Sequence, residues 1–178
     1  MQVTEAQSEV RTVFEGGFIG GLVSAALWAT STALATFISP RAGIITLAFG
    51  GALIYPVTSA LLRMTRGRGS LSKDNPLGTL AMQVAFTIPC ALPVVGGAAL
   101  YKLNWFYPGT LIIVGAHYLP FAFLYGMRAF YGLAAAMVAA GLMIGLYANQ
   151  SFTLGGWVGA AMLFVFALVG KSVAAREH

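Results

Sequence analysis

The chain has 178 residues, of which 58% are apolar and only 8% charged, with a formal net charge of +5. Soluble domains carry about a quarter charged residues, so this chain cannot cover a water-facing surface, and its scattered basic residues argue against a folded nucleic-acid-binding domain. Mean hydropathy is +0.82, and several charge-free stretches exceed the roughly 18 residues needed to cross about 30 Å of hydrocarbon as a helix.

The chain opens with MQVTEAQSEVRTV, a polar stretch holding Glu5, Glu9 and Arg11. It lacks the basic start and short apolar core of a cleaved signal peptide, so the first apolar span is expected to be retained. Six spans follow, at about 14–38, 41–63, 76–99, 108–127, 129–148 and 152–170. Their apolar runs are continuous, without the alternation of barrel strands, which predicts an all-α polytopic transmembrane bundle. The spans consume most of residues 1–178, which predicts a single integral-membrane domain.

The loop between the second and third spans, RMTRGRGSLSKDNPLG, carries Arg63, Arg66, Arg68 and Lys73. Placing it inside also places Arg11, Arg128, Lys171 and Arg176 inside, leaving Arg41 and Lys102 outside. The positive-inside rule then puts both termini in the cytoplasm. Contact with anionic headgroups is the plainest role for the basic loop. Ser39-Pro40, Asn75-Pro76 and Tyr107-Pro108 set prolines near helix starts, where a missing N–H costs nothing. Trp105, Tyr101 and Tyr107 are expected at the outer interface, and Tyr125 and Tyr131 at the inner one.

Glycines recur at four-residue spacing as Gly16/Gly20, Gly17/Gly21, Gly141/Gly145 and Gly155/Gly159. Such spacing lets helix backbones approach closely in lipid. It serves either intrachain packing or a homo-oligomer, the latter most readily through the smooth face Gly132, Ala136 and Ala140. The echo between GGFIGG at 16–21 and GGWVGA at 155–160 joins the first span to the sixth. An inverted three-helix repeat would instead relate the first to the fourth.

Acidic residues stay at the chain ends, at Glu15 on the edge of the first span and at Asp74 in the basic loop. No lysine or arginine falls inside a span, so carboxylate pumps, voltage sensors and carboxylate-bridged metal sites are disfavoured. The second histidine, His178, lies at the C-terminus, so a bis-histidine haem is not expected, and no cofactor or metal is predicted. The single Cys90 excludes an intrachain disulfide.

Polar groups at depth are therefore neutral. In the third span Gln83, Thr87 and Cys90 share one helix face, while Pro89 and Pro93 release the carbonyls of Ala85 and Pro89. Tyr55-Pro56 releases the carbonyl of Ala52, and Ser24, Trp28 and Ser31 align on the first span. The fourth span concentrates the signals. From Pro108 to Met127 it puts His117 at the midplane, and Pro120 leaves the Ala116 carbonyl without its helical donor. A midplane ionisable side chain beside a freed carbonyl is similar to the broken-helix sites of transporters.

The segments SKDNPLGTL (72–80), NWFYP (104–108) and GAHYLPFAFLYGM (115–127) resemble a family of uncharacterised small bacterial multi-span membrane proteins, a domain of unknown function. The resemblance implies a compact helical membrane protein of a bacterial plasma membrane and brings no activity or catalytic residues. The residues themselves point first to binding or permeation of a small molecule at a midplane site of His117, Tyr118, Gln83, Thr87, Tyr55 and Trp28. A structural, accessory or sensor subunit is the alternative, in which His117 only bonds a neighbouring helix through Gln83 or Thr87. An enzyme using His117 as base and Cys90 as nucleophile is a lesser one, since nothing else in the sequence completes such a pair.

Overall fold

The computed structural model describes residues 1–174 of the chain. Its helices are α1 (Val3–Val13), α2 (Phe18–Phe37), α3 (Pro40–Gly50), α4 (Ile54–Arg66), α5 (Leu77–Tyr101), α6 (Phe106–Tyr125), α7 (Ala129–Tyr147) and α8 (Leu154–Ala174). Among the described residues six segments are long and apolar enough to cross a membrane, with α3 and α4 forming one of them, Pro40–Arg66. The fold is all-α, and the segments match the spans expected from hydropathy to within a few residues.

Helix α1 is what hydropathy passed over. Its polar sequence hides a stripe of Ala6, Val10 and Val13, spaced so that all three face one way and are buried. The Gln2 N–H donates to Glu5 Oε2, which satisfies one of the orphan donors of the first turn. The helix then stops at three consecutive left-handed residues, Glu15 (φ 49°), Gly16 (φ 61°) and Gly17 (φ 86°). Two glycines carry most of that turn without a Cβ penalty, and α1 folds back beneath the bundle instead of continuing into α2.

Prolines act differently in the three places where they enter spans. The second span breaks into α3 and α4 across a 3-10 turn at Gly51–Leu53, just before Pro56. Helix α5 is continuous through Pro89 and Pro93, and α6 through Pro120. Helix α3 starts where Ser39 Oγ accepts from the Ala42 N–H at 3.2 Å, with Pro40 in the first turn.

Helices α2, α6, α7 and α8 form the packed centre, with α6 against α7 and α2 against α8 as the closest pairs. Close approach rests on the spaced glycines. A methyl group at Gly159 would lie 2.4 Å from the Trp28 ring, one at Gly141 2.7 Å from the Pro108 carbonyl, and one at Gly21 2.9 Å from Ala167. Gly145 seats the Trp105 ring in the same way. The four-residue spacings at Gly141/Gly145 and Gly155/Gly159 are thus used within the chain. The face of Gly132 and Ala136 on α7 is exposed, and nothing lies within 4 Å of a Cβ built at Gly132.

Two aromatic residues depart from their expected place at the interface. Tyr107 is fully buried (0% exposed) and Tyr125 nearly so (7%). For Tyr107 the reason is a polar partner at depth. Its hydroxyl lies 2.7 Å from Ser31 Oγ, which in turn donates to the Gly43 carbonyl at 2.8 Å. Tyr125 is drawn in by rings, stacking on Phe121 at 5.7 Å and meeting Phe130 at 4.9 Å. Tyr101 and Tyr131 remain exposed.

The remaining spans lie outside this centre. Helices α3 and α4 lean on α2, whereas α5 leans on α6. In the α5 span only 11% of residues are buried, against 44% in the α6 span. A single stripe of α5, including Leu77, Val84 and Val95, makes the contact, so the α5–α6 seam is narrow and its flanks are open.

Candidate functional site

The seam brings His117 of α6 against Thr87 of α5. His117 Nδ1 lies 3.0 Å from Thr87 Oγ1, and Thr87 Oγ1 donates to the Val84 carbonyl one turn earlier at 2.7 Å. Two features of the sequence produce this meeting. Val84 belongs to the stripe that α5 presents to α6, and Thr87 stands three residues on, at the edge of that stripe. His117 lies near the middle of the twenty residues of α6, so the contact falls at mid-depth.

Rings form one wall. Phe121, one turn beyond His117, lies 5.0 Å from it between ring centroids, and Tyr118 lies 5.9 Å away edge-on. Tyr118 itself turns towards the centre of the bundle, where it stacks on Phe130 at 6.0 Å and meets Phe166 of α8 at 6.5 Å. The other wall is open. His117 is half-buried, while Gln83, Thr87 and Cys90 are exposed along the flank of α5.

Of the residues singled out in the sequence, His117, Thr87 and Tyr118 therefore meet, and Gln83 stands one turn from Thr87 on the same flank. Trp28 and Tyr55 are not brought to them. Trp28 is 2% exposed, packed 6.2 Å from the Tyr107 ring. Tyr55 is 60% exposed on α4, which leans on a different helix. The Val84 carbonyl and Phe121 complete the seam and were not singled out. Phe121 could have been found from its i+4 spacing to His117, but nothing in a sequence marks one backbone carbonyl among many.

Chemically the seam offers a hydrogen-bonded imidazole–hydroxyl pair with the Tyr118 phenol beside it. Among the described residues no group of three His, Cys, Asp or Glu side chains could hold a metal ion. No hydrogen bond among the described residues joins Cys90 to His117.

A second polar cluster closes the same end of the bundle that holds α1. The Glu9 carboxylate accepts from the Ser72 N–H and Oγ and from Asn75 Nδ2, each at 2.8 Å, and pairs with Arg68. Burial pushes the Glu9 carboxyl up, but the bonds from Asn75 and Ser72 and the Arg68 charge outweigh it and hold it down at about 2. On the other side of α1, Gln7 Nε2 donates to the Phe123 carbonyl at 2.6 Å and Arg11 Nη1 to the Tyr125 carbonyl at 2.7 Å. These carbonyls belong to the last turn of α6, which ends at Gly126 with φ 63°. Arg66 pairs with Glu15, and Lys171 Nζ lies 4.5 Å over the Phe18 ring. Arg11, Arg66, Arg68 and Lys171 are thereby gathered with α1 at one end of the bundle.

No curated protein and no solved structure matches the chain. The sequence model of one family, described as a family of unknown function (DUF7010), matches residues 3–171, from the start of α1 into the last turns of α8. That span takes in α1, the His117–Thr87 seam and all six apolar segments, and the chain belongs to this family.

Proposed function

We propose that the chain is a multi-pass protein of a bacterial plasma membrane, with both termini cytoplasmic, that binds or passes a small, weakly polar molecule at the α5–α6 seam. One observation carries the reading. An imidazole at mid-depth is held by Thr87 on one nitrogen and is only half-buried, so it is neither packed away nor fully wet. Ionisable groups at such depth are costly and concentrate at sites of function. The basic residues gathered at the α1 end support that end as the cytoplasmic one.

The test uses the protein reconstituted in lipid vesicles with a photoreactive alkyl diazirine that partitions into the bilayer. Labelled residues are mapped by mass spectrometry. Labelling is expected to be enriched around Gln83, Thr87 and His117 and to fall there in His117→Phe, at an unchanged melting temperature. Uniform labelling of all lipid-facing helices, unaltered by His117→Phe, would remove the seam as a site.

One observation favours the alternative of an accessory or self-associating subunit. The small-residue face of α7 is left open, with Gly132 and Ala136 exposed. On that reading Gly132→Leu would disperse a cross-linkable oligomer while leaving the seam labelling intact.

A further inference from the structure

The ligand's chemistry follows from where the hydrogens of the seam must lie. Thr87 has a single hydroxyl hydrogen, and it is given to the Val84 carbonyl at 2.7 Å. The same oxygen then meets His117 Nδ1 at 3.0 Å as an acceptor, so Nδ1 carries the hydrogen of that bond. A neutral imidazole carries one N–H. With that hydrogen on Nδ1, Nε2 is a bare lone pair.

No hydrogen bond to Nε2 is formed among the described residues, and the ring is half-open on the flank where Gln83 is exposed. Away from water an unpaired acceptor is costly. It draws a donor and repels a second acceptor. Among the described residues a cation has no carboxylate at this depth to balance it, since Glu9 and Glu15 are engaged with Arg68 and Arg66 at the end of the bundle. Phe121 lies against the ring and offers apolar contact to the rest of a bound molecule. The open flank belongs to a helix with few buried residues, so the approach is sideways from the bilayer.

From this we infer that the seam takes a neutral, membrane-soluble molecule bearing an O–H or N–H donor, an alcohol, phenol or amide, bound by donation to His117 Nε2. The inference rests on the seam being the binding site proposed above, and adds which class of molecule it accepts.

The experiment is solid-state NMR of the full chain carrying His178→Ala, with ¹⁵N-labelled histidine, in lipid vesicles. His117 is then the one labelled ring. At rest it is expected in the Nδ1–H tautomer with Nε2 unprotonated. Adding 1-decanol to the bilayer should shift the Nε2 resonance towards the hydrogen-bonded position, while methyl decyl ether, of similar shape but without a donor, should leave it in place. Thr87→Val should abolish the tautomer preference in a chain that still folds. A resting ring protonated on Nε2 overturns the inference at its first step. Equal shifts with alcohol and ether overturn the donor requirement but leave the seam as a site. No shift with either removes the seam itself.

Discussion

The two halves of this molecule use their polar groups in opposite ways. In the centre, Ser31, Tyr107 and the Gly43 carbonyl form a closed set, fully buried, with each group's partner supplied by the chain. At the α5–α6 seam, Thr87 and His117 form a pair of similar geometry, but the ring stays half-open and Gln83 stands exposed beside it. The first arrangement is what structural polarity in a membrane protein looks like, because buried groups are satisfied. The second leaves the imidazole only partly covered, and that difference separates a packing device from a candidate site.

The comparison can be broken first at its strongest point. Gly159→Leu places a side chain where even a Cβ would lie 2.4 Å from the Trp28 ring. Overpacking of this kind costs about 1–3 kcal/mol or more, and a loss at the upper end, or failure to fold, is expected in a thermal melt in detergent. Next comes Ser31→Ala, which strands the buried Tyr107 hydroxyl. An unsatisfied buried group costs about 1–3 kcal/mol, and Ser31→Thr should recover part of it. A wild-type melting temperature for Ser31→Ala would show that the closed set is not holding the centre together.

The α1 end supplies a pH test. Glu9 is held at about 2 in the fold, below its ordinary 4.5, so its ionised form stabilises the native state. That contribution is complete above about 4.5 and declines as pH falls towards about 2. Melting temperatures of the wild type and Glu9→Gln, measured from pH 6 downwards, should converge across that window. Curves that stay parallel would detach Glu9 from the stability of this end.

The seam should give the smallest response. Thr87→Val removes one hydrogen bond between membrane helices, worth about 0.6 kcal/mol on average, and Gly97→Ala adds a methyl group where nothing lies within 4 Å. Gly97→Ala is expected to fall within about 0.5 kcal/mol of the wild type. If Thr87→Val cost as much as Ser31→Ala, the seam would belong with the packed centre and not with the sites.

How legible the fold was varied from one element to the next. Hydropathy located all six spans, because crossing hydrocarbon imposes a length and composition that few other segments meet. It missed α1, whose three buried positions are too few to raise the mean of a polar segment. It set Tyr107 and Tyr125 at the interfaces, because an aromatic belt is a rule about depth and says nothing about a partner such as Ser31. The site was legible in part for the same reason. Thr87 could be named as a partner for His117 because both lie near mid-span. Which helix adjoins which is a property of packing, and so Trp28 and Tyr55, on helices that turn elsewhere, were grouped with His117 on depth alone.

The clasp made by α1 has a consequence for the order in which the chain is assembled. Gln7 and Arg11 bind carbonyls 116 and 114 residues downstream, and Glu9 binds side chains 63 and 66 residues on. During synthesis α1 emerges before the spans, and the end of α6 that it grips does not exist until the fourth span has been made. In the interval its stripe of Ala6, Val10 and Val13 has only the membrane surface to rest on, as amphipathic helices do. A helix made before its partners is thus among the last to dock, and its docking records that α5 and α6 have come together.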